Sequence, residues 1–376
     1  MTELNSKTKT RPSSIAAKIM LTSFSLVISL LAAEFGFRIF SGLPVLEMRD
    51  WRMERARMKR IGDRADLDPH LGWRLKPNFS IDEFTTLTHG VRRNFDENTI
   101  RTGGILAVGD SFTEGFGVVA DDETWPAHLE ALAGVPVVNG GVSGYAADQI
   151  ILRAEMLMPV VKPKTLIVGF TEVDIDRVKW SDDGAPKPHF TLENDALVYH
   201  EPEVFEANEN LQQPVIAVLR TTLGYSALAD HLLSRLAYDF WYPRAHAGFG
   251  GDDYDPGVIA CRLLGRLKKQ TDQQNVKLVV FLQYGAYILL DGGQRPEDMA
   301  AIGQCADKLR IAVVDQLDPL KAITKTDPAL VARYYADEGG EFGHMSSNGN
   351  EHAARILLDA LKAPLKPSAI SAPSVR

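Results

Sequence analysis

The chain has 376 residues, 45% of them hydrophobic and 24% charged, an ordinary globular composition with enough apolar content for a sizeable core. Its formal net charge of −8 gives no basic patch or stripe of the kind nucleic-acid binding needs. Two cysteines are too few for a disulfide framework or a thiolate metal site, and the nine histidines show no ligand spacing, so no metal or cofactor is expected.

Residues 1–14 are polar and carry Lys7, Lys9 and Arg11. Residues 15–33 are then almost wholly apolar, with Lys18 near one end and Glu34 marking the other. Nineteen helical residues span roughly 28 Å, close to the hydrocarbon thickness of a bilayer. Leu31 before Ala33 fits a leader cleavage site poorly, and apolar residues continue through Phe35, Phe37, Ile39 and Phe40. The segment therefore reads as an uncleaved single-pass signal anchor. The short tail is expected in the cytoplasm and the main domain outside it, although basic residues flank the span almost evenly.

Residues 34–100 form a juxtamembrane stem and lead-in, with 45–62 rich in Met, Arg and Glu and read as a charged helix or stem. From 101 to 362 strand and helix signals alternate. Ile105–Gly109, Val135–Val138, Thr165–Phe170, Val276–Leu282 and Ile311–Val314 are short apolar runs between helical stretches. That pattern predicts an α/β domain: a doubly wound, flavodoxin-like parallel sheet of about five strands with helices on both faces. Residues 177–255 interrupt the alternation as an insertion. It holds a hairpin over Pro186–His200 that turns at Asn194-Asp195, and helical signal from Pro214 to Tyr238. Cys261 and Cys305 read as two separate buried thiols, with one disulfide as the alternative outside the cytoplasm. Residues 363–376, with three prolines, read as a disordered tail.

Three of these runs end in loops that carry chemistry. Gly109-Asp110-Ser111-Phe112-Thr113-Glu114-Gly115 sets a serine at the carboxyl end of a strand, where its hydroxyl can attack and its N–H can hold an oxyanion. Asn139-Gly140-Gly141-Val142-Ser143-Gly144-Tyr145 offers a glycine N–H unobstructed by a side chain. Gly169-Phe170-Thr171-Glu172-Val173-Asp174 closes the third strand. Near the end of the domain, Glu341-Phe342-Gly343-His344 puts a carboxylate three residues before a histidine, a spacing that can hold an imidazole in the right tautomer. A helix follows, with Ser346 or Ser347 as its cap.

In these blocks the chain resembles the SGNH/GDSL hydrolase superfamily over roughly residues 100–362, and weaker family-like phrasing begins at Leu71-Gly72-Trp73-Arg74-Leu75-Lys76-Pro77. Glu123-Thr124-Trp125-Pro126 and Gly141-Val142-Ser143-Gly144-Tyr145 resemble a membrane-anchored bacterial branch. The resemblance implies Ser111 as nucleophile, His344 as base and Glu341 as acid, where Asp is usual and Asp337 is the fallback. It implies Ser111 and Gly144 as oxyanion donors, with Gly109, Asp110, Asn139 and Asp174 supporting them. Val173 stands where the family carries an oxyanion-donating Asn, and Thr171 is the candidate substitute. Losing such a donor costs about 10²–10³ in rate.

The implied activity is serine esterase chemistry on O-acyl, in particular O-acetyl, esters of envelope carbohydrate. The implied location is the bacterial cytoplasmic membrane, with the domain periplasmic or otherwise extracytoplasmic. Two alternatives stand beside it. One is an O-acyltransferase using the same triad with a membrane partner that delivers the acyl donor. The other is a degraded binding or scaffold module, motivated by Val173 and Glu341.

Overall fold

A computed structural model describes residues 14–52, 55, 62–116, 118–183, 185–202, 214–241, 255–326, 329–338 and 342–362. The chain divides into two compact units, residues 1–56 with 206–244, and residues 57–205 with 245–376.

The larger unit is built on five parallel strands: β1 Ile105–Val108, β2 Val137–Asn139, β3 Thr165–Phe170, β4 Lys277–Leu282 and β5 Ala312–Asp315. Their order across the sheet is β2-β1-β3-β4-β5, so the winding reverses between β1 and β3. Alternate strand residues serve two cores, as the twofold strand period requires. Leu106, Val108, Leu166, Val168, Val280 and Leu282 pack under helices Ala147–Val161, Pro256–Gln273 and Glu297–Lys308. Ile105, Ala107, Ile167, Val279, Phe281 and Val314 pack under helices Trp125–Ala133 and Ser347–Lys362. Both faces are covered, which is why the strands read as continuous apolar runs. The doubly wound fold expected from the alternating strand and helix pattern is the one found.

Two further features fix this unit. Cys261 and Cys305 form a disulfide between the Pro256–Gln273 and Glu297–Lys308 helices, with Cα atoms 5.8 Å apart. This corrects the reading of two separate thiols: the helices lie on one face of the sheet and bring together residues 44 apart in sequence. The hairpin His189–Glu193/Ala196–His200 turns at Asn194 and Asp195, both in the left-handed region at φ 50° and 65°.

The smaller unit is dominated by one helix, Ser14–Phe40, whose Ala17–Phe40 stretch has mean hydropathy 1.8 and is long and apolar enough to cross a membrane. The helix does not stop at residue 33. Glu34 and Arg38, one turn apart, pair at 2.6 Å and extend it to Phe40. Residues 41–50 are non-helical and 51, 52 and 55 are helical; most of the rest of the 45–62 stretch, read as a charged helix or stem, lies outside the described residues. Helices Pro214–Gly224 and Ala227–Leu236 belong to this unit, whereas the 189–200 hairpin belongs to the larger one, so the stretch read as a single insertion is divided. Residues 1–13 and 363–376 lie outside the described residues.

Candidate active site

The first loop at the carboxyl edge of the sheet carries Ser111. Asp110 caps the one-turn helix Ser111–Glu114, its Oδ1 accepting from Phe112 N at 2.9 Å. Ser111 is the first helical residue, so its N–H has no intrahelical carbonyl to meet. The turn is tight: a Cβ at position 109 would lie 2.1 Å from Thr113 Oγ1, which only glycine avoids.

The second loop is tied to the first by Asn139. Its Nδ2 donates to Thr113 O at 2.9 Å and its Oδ1 accepts from Gly141 N at 3.1 Å. Ser143 N donates to the buried Glu114 carboxylate, and burial holds that carboxyl above its usual range. Gly144 sits at φ 76°, a left-handed conformation suited to glycine. Trp73 anchors the loop from outside: its Nε1 donates to Ser143 O at 3.1 Å, and Tyr145 Oη donates to Trp73 O at 2.5 Å.

Arg92 is a supporting residue that sequence reasoning missed. It is buried and donates to Glu114 O and Val119 O, both at 2.7 Å, while its Nε meets Asp121 Oδ1 at 3.0 Å. It clamps the chain leaving the nucleophile turn. Its only sequence signal was a charge in a stretch of loops.

The third loop departs from its expected part. Thr171 Oγ1 donates to Asp110 Oδ2 at 3.2 Å and Thr171 N donates to Asp174 Oδ2 at 2.8 Å. Both donors are directed at carboxylates, so Thr171 does not serve as the substitute oxyanion donor. Asp174 is fully buried; desolvation, then the neighbouring Asp110 carboxylate, push its carboxyl well above the usual range. Val173 is 39% exposed and has no donor.

The imidazole arrives from the last hairpin of the domain, Tyr335–Asp337 paired with Phe342–Met345. His344 Nε2 lies 2.8 Å from Ser111 Oγ, across 233 residues of sequence. Its Nδ1 lies 2.8 Å from Glu338 Oε1, and its backbone N donates to the same oxygen at 2.7 Å. The carboxylate on Nδ1 is thus Glu338, where the sequence reading gave Glu341. Glu341 itself lies outside the described residues, and Asp337 pairs in the hairpin opposite Phe342. The hairpin turn folds position 338 back onto 344, which a count of three residues along the chain misses. Ser346 Oγ accepts from Gly349 N at 3.3 Å and so caps the final helix. Two aromatic rings flank the imidazole: Phe116 stacks on it at 4.3 Å between centroids, and Phe112 lies at 5.2 Å.

No protein-family model matches the chain, and no curated protein is significantly similar to it. Among solved structures, it is similar to Axe2, an acetylxylan esterase from Geobacillus stearothermophilus, at 14% identity and TM-score 0.38, covering 71% of this chain and 97% of that one. It is also similar to TesA, at 14% identity and TM-score 0.34, covering 70% of this chain and 99% of that one. Identities and TM-scores this low leave the chemistry to be judged from the site itself.

Proposed function

We propose that the protein is an SGNH-type serine ester hydrolase with Ser111 as nucleophile, His344 as general base and Glu338 as the orienting acid. One observation carries this reading: a hydroxyl, an imidazole and a carboxylate stand in line, each link 2.8 Å long. Glu338 accepts a hydrogen bond from Nδ1–H, which leaves Nε2 as the acceptor for the Ser111 hydroxyl. Ser111 Oγ attacks the ester carbonyl carbon as its proton passes to Nε2. The N–H groups of Ser111 and Gly144 receive the oxyanion. The tetrahedral adduct collapses, Nε2 protonates the departing alkoxide, and the acyl group stays on Ser111. Water, deprotonated by His344, then releases the acid and restores the serine.

The aligned triad supports a working enzyme over a degraded binding module. Its substrate is proposed to be an O-acetyl ester on envelope carbohydrate, with the Ser14–Phe40 helix as a membrane anchor and the larger unit outside the cytoplasm. The Cys261–Cys305 disulfide supports that side of the membrane, since such bonds persist in oxidising compartments. If a sugar hydroxyl replaces water in the second step, the same residues perform acyl transfer.

A fluorophosphonate probe and an acetyl-ester assay test the proposal. Wild type should be labelled and should hydrolyse a simple acetyl ester; Ser111→Ala should lose the label and fall by about 10⁴-fold or more in kcat. Unlabelled wild type, or a Ser111→Ala variant with full activity, would overturn it. Acetylated xylo-oligosaccharide with unacetylated oligosaccharide present then separates release of acetate from transfer.

A further inference from the structure

The last turns of the apolar helix carry two charged side chains, Glu34 and Arg38, and both bond to the turn of chain around Tyr225–Leu228. Glu34 accepts from Ser226 Oγ at 2.7 Å, Ala227 N at 2.8 Å and Leu228 N at 3.0 Å, which makes it the anion at the N-terminus of the Ala227–Leu236 helix. Arg38, paired with Glu34, donates to Tyr225 O at 3.0 Å and to Glu47 O at 2.8 Å. The His231 ring packs on Phe37 at 4.9 Å. Residues 225–231 are therefore held against residues 34–38, at the end of the apolar helix where the chain leaves the hydrocarbon.

The helix before that turn shows an apolar face that no described residue of the unit covers. Val215, Val218 and Leu219 of Pro214–Gly224 are 80%, 66% and 47% exposed, and their i, i+3, i+4 spacing puts them on one side. On the next helix Leu232 and Leu236, one turn apart, are 46% and 81% exposed. The same unit gathers the Arg–aromatic pairs favoured at a headgroup level: Arg38 and Arg49 over Trp51 at 5.3 and 4.9 Å, and Arg52 over Trp241 at 5.8 Å. Leu30, Leu31, Ile39 and Phe40 of the long helix are likewise exposed, in the same unit as the Pro214–Gly224 face.

We propose that residues 214–236 form a helical collar whose Val215/Val218/Leu219 face lies in the phospholipid bilayer beside the anchor, a second membrane contact distinct from the spanning helix. The occupant is lipid because the face lies on the helix that leads into the turn held at the end of a helix suited to lipid, in a unit that also gathers the Arg–Trp pairs. This inference rests on reading Ser14–Phe40 as membrane-spanning.

The test uses the full chain in phosphatidylethanolamine–phosphatidylglycerol liposomes. The two native cysteines are joined, so an introduced cysteine is the single free thiol. An environment-sensitive fluorophore is placed by Val218→Cys, by Val27→Cys in the anchor and by Lys308→Cys on the larger unit. Val215→Cys reads the same face should position 218 disturb the fold. The collar predicts that the 218 label is quenched by shallow nitroxide lipids about threefold or more above the 308 label, and protected from iodide present on both sides of the bilayer. If 27 is quenched by lipid while 218 and 215 stay open to iodide, the collar is wrong and the anchor stands. If 27 escapes lipid quenching, the anchor reading itself fails and takes the collar with it. A 218 label shielded from both quenchers means that protein, such as a second copy of the chain, covers this face, and that too overturns the proposal.

Discussion

The Glu338 carboxylate fills the space that a side chain at position 343 would take. A Cβ on Gly343 would lie 2.3 Å from Glu338 Cδ and 2.4 Å from its Oε1, the oxygen that meets both the ring and the backbone of His344. The glycine is thus part of the acid's site, although it makes no bond to the imidazole.

Three variants test that relationship. Glu338→Gln should lower kcat by about 10²–10⁴-fold, as expected when the group orienting a catalytic imidazole is lost. Gly343→Ala should move kcat the same way by expelling the carboxylate, while thermal stability changes little. Glu341→Gln should remain within about twofold of wild type. Steady-state kinetics on an acetyl ester decide; a larger loss in Glu341→Gln than in Glu338→Gln would reassign the acid.

Arg92 braces the nucleophile turn through two carbonyls and Asp121. Arg92→Met should destabilise the larger unit by about 3–5 kcal/mol, because the Glu114 and Val119 carbonyls each lose a buried charged donor, while Asp121 keeps Arg93 and Thr85 N. Urea titration followed by tryptophan fluorescence reads the loss. A change under about 1 kcal/mol would show that the clamp is not rigid.

The disulfide makes a prediction about compartment as well as stability. Cys261→Ser with Cys305→Ser should cost about 2–5 kcal/mol, with kcat retained, since the bond lies between helices away from the triad. Trapping free thiols in intact cells should find both cysteines oxidised. If they are found reduced, the extracytoplasmic assignment of the larger unit is lost.

His189 supplies a pH test. Its ring stacks on His200 at 4.6 Å, and burial first, then the neighbouring His200 and Lys187, depress its pKa to about 4. The unfolded chain, with a histidine near 6.5, binds more protons than the folded one between these values. Stability is therefore complete above about pH 6.5 and declines as pH falls toward 4. His189→Gln should flatten that part of the profile relative to wild type, as read by melting temperature at several pH values. Parallel wild-type and variant profiles would refute the assignment.

Much of the site could be read from letters because its parts lie where strands end. Asn139 ends β2, and Ser111 and Gly144 follow β1 and β2 closely, so a strand assignment alone brings them to one edge. Ser111 and His344 meet because the fold closes as the alternating pattern said. What escaped notice depends on returns of the chain that no local spacing encodes. Glu338 reaches His344 across a hairpin turn rather than along the strand. Arg92 serves loops 22–29 residues further on. The disulfide spans a separation of 44 residues that carries no periodic signal. Thr171 was misread for a different reason: the competing acceptors, Asp110 and Asp174, are near neighbours in space that take both its donors.

Ser111 and His344, the proposed nucleophile and base, lie 233 residues apart in the larger unit. On the proposed reading, a nascent chain presents Ser111 long before His344 is made, and the site is complete only when the closing hairpin docks. A product truncated before that hairpin would hold all five strands of the sheet and yet lack the imidazole that the proposed chemistry needs.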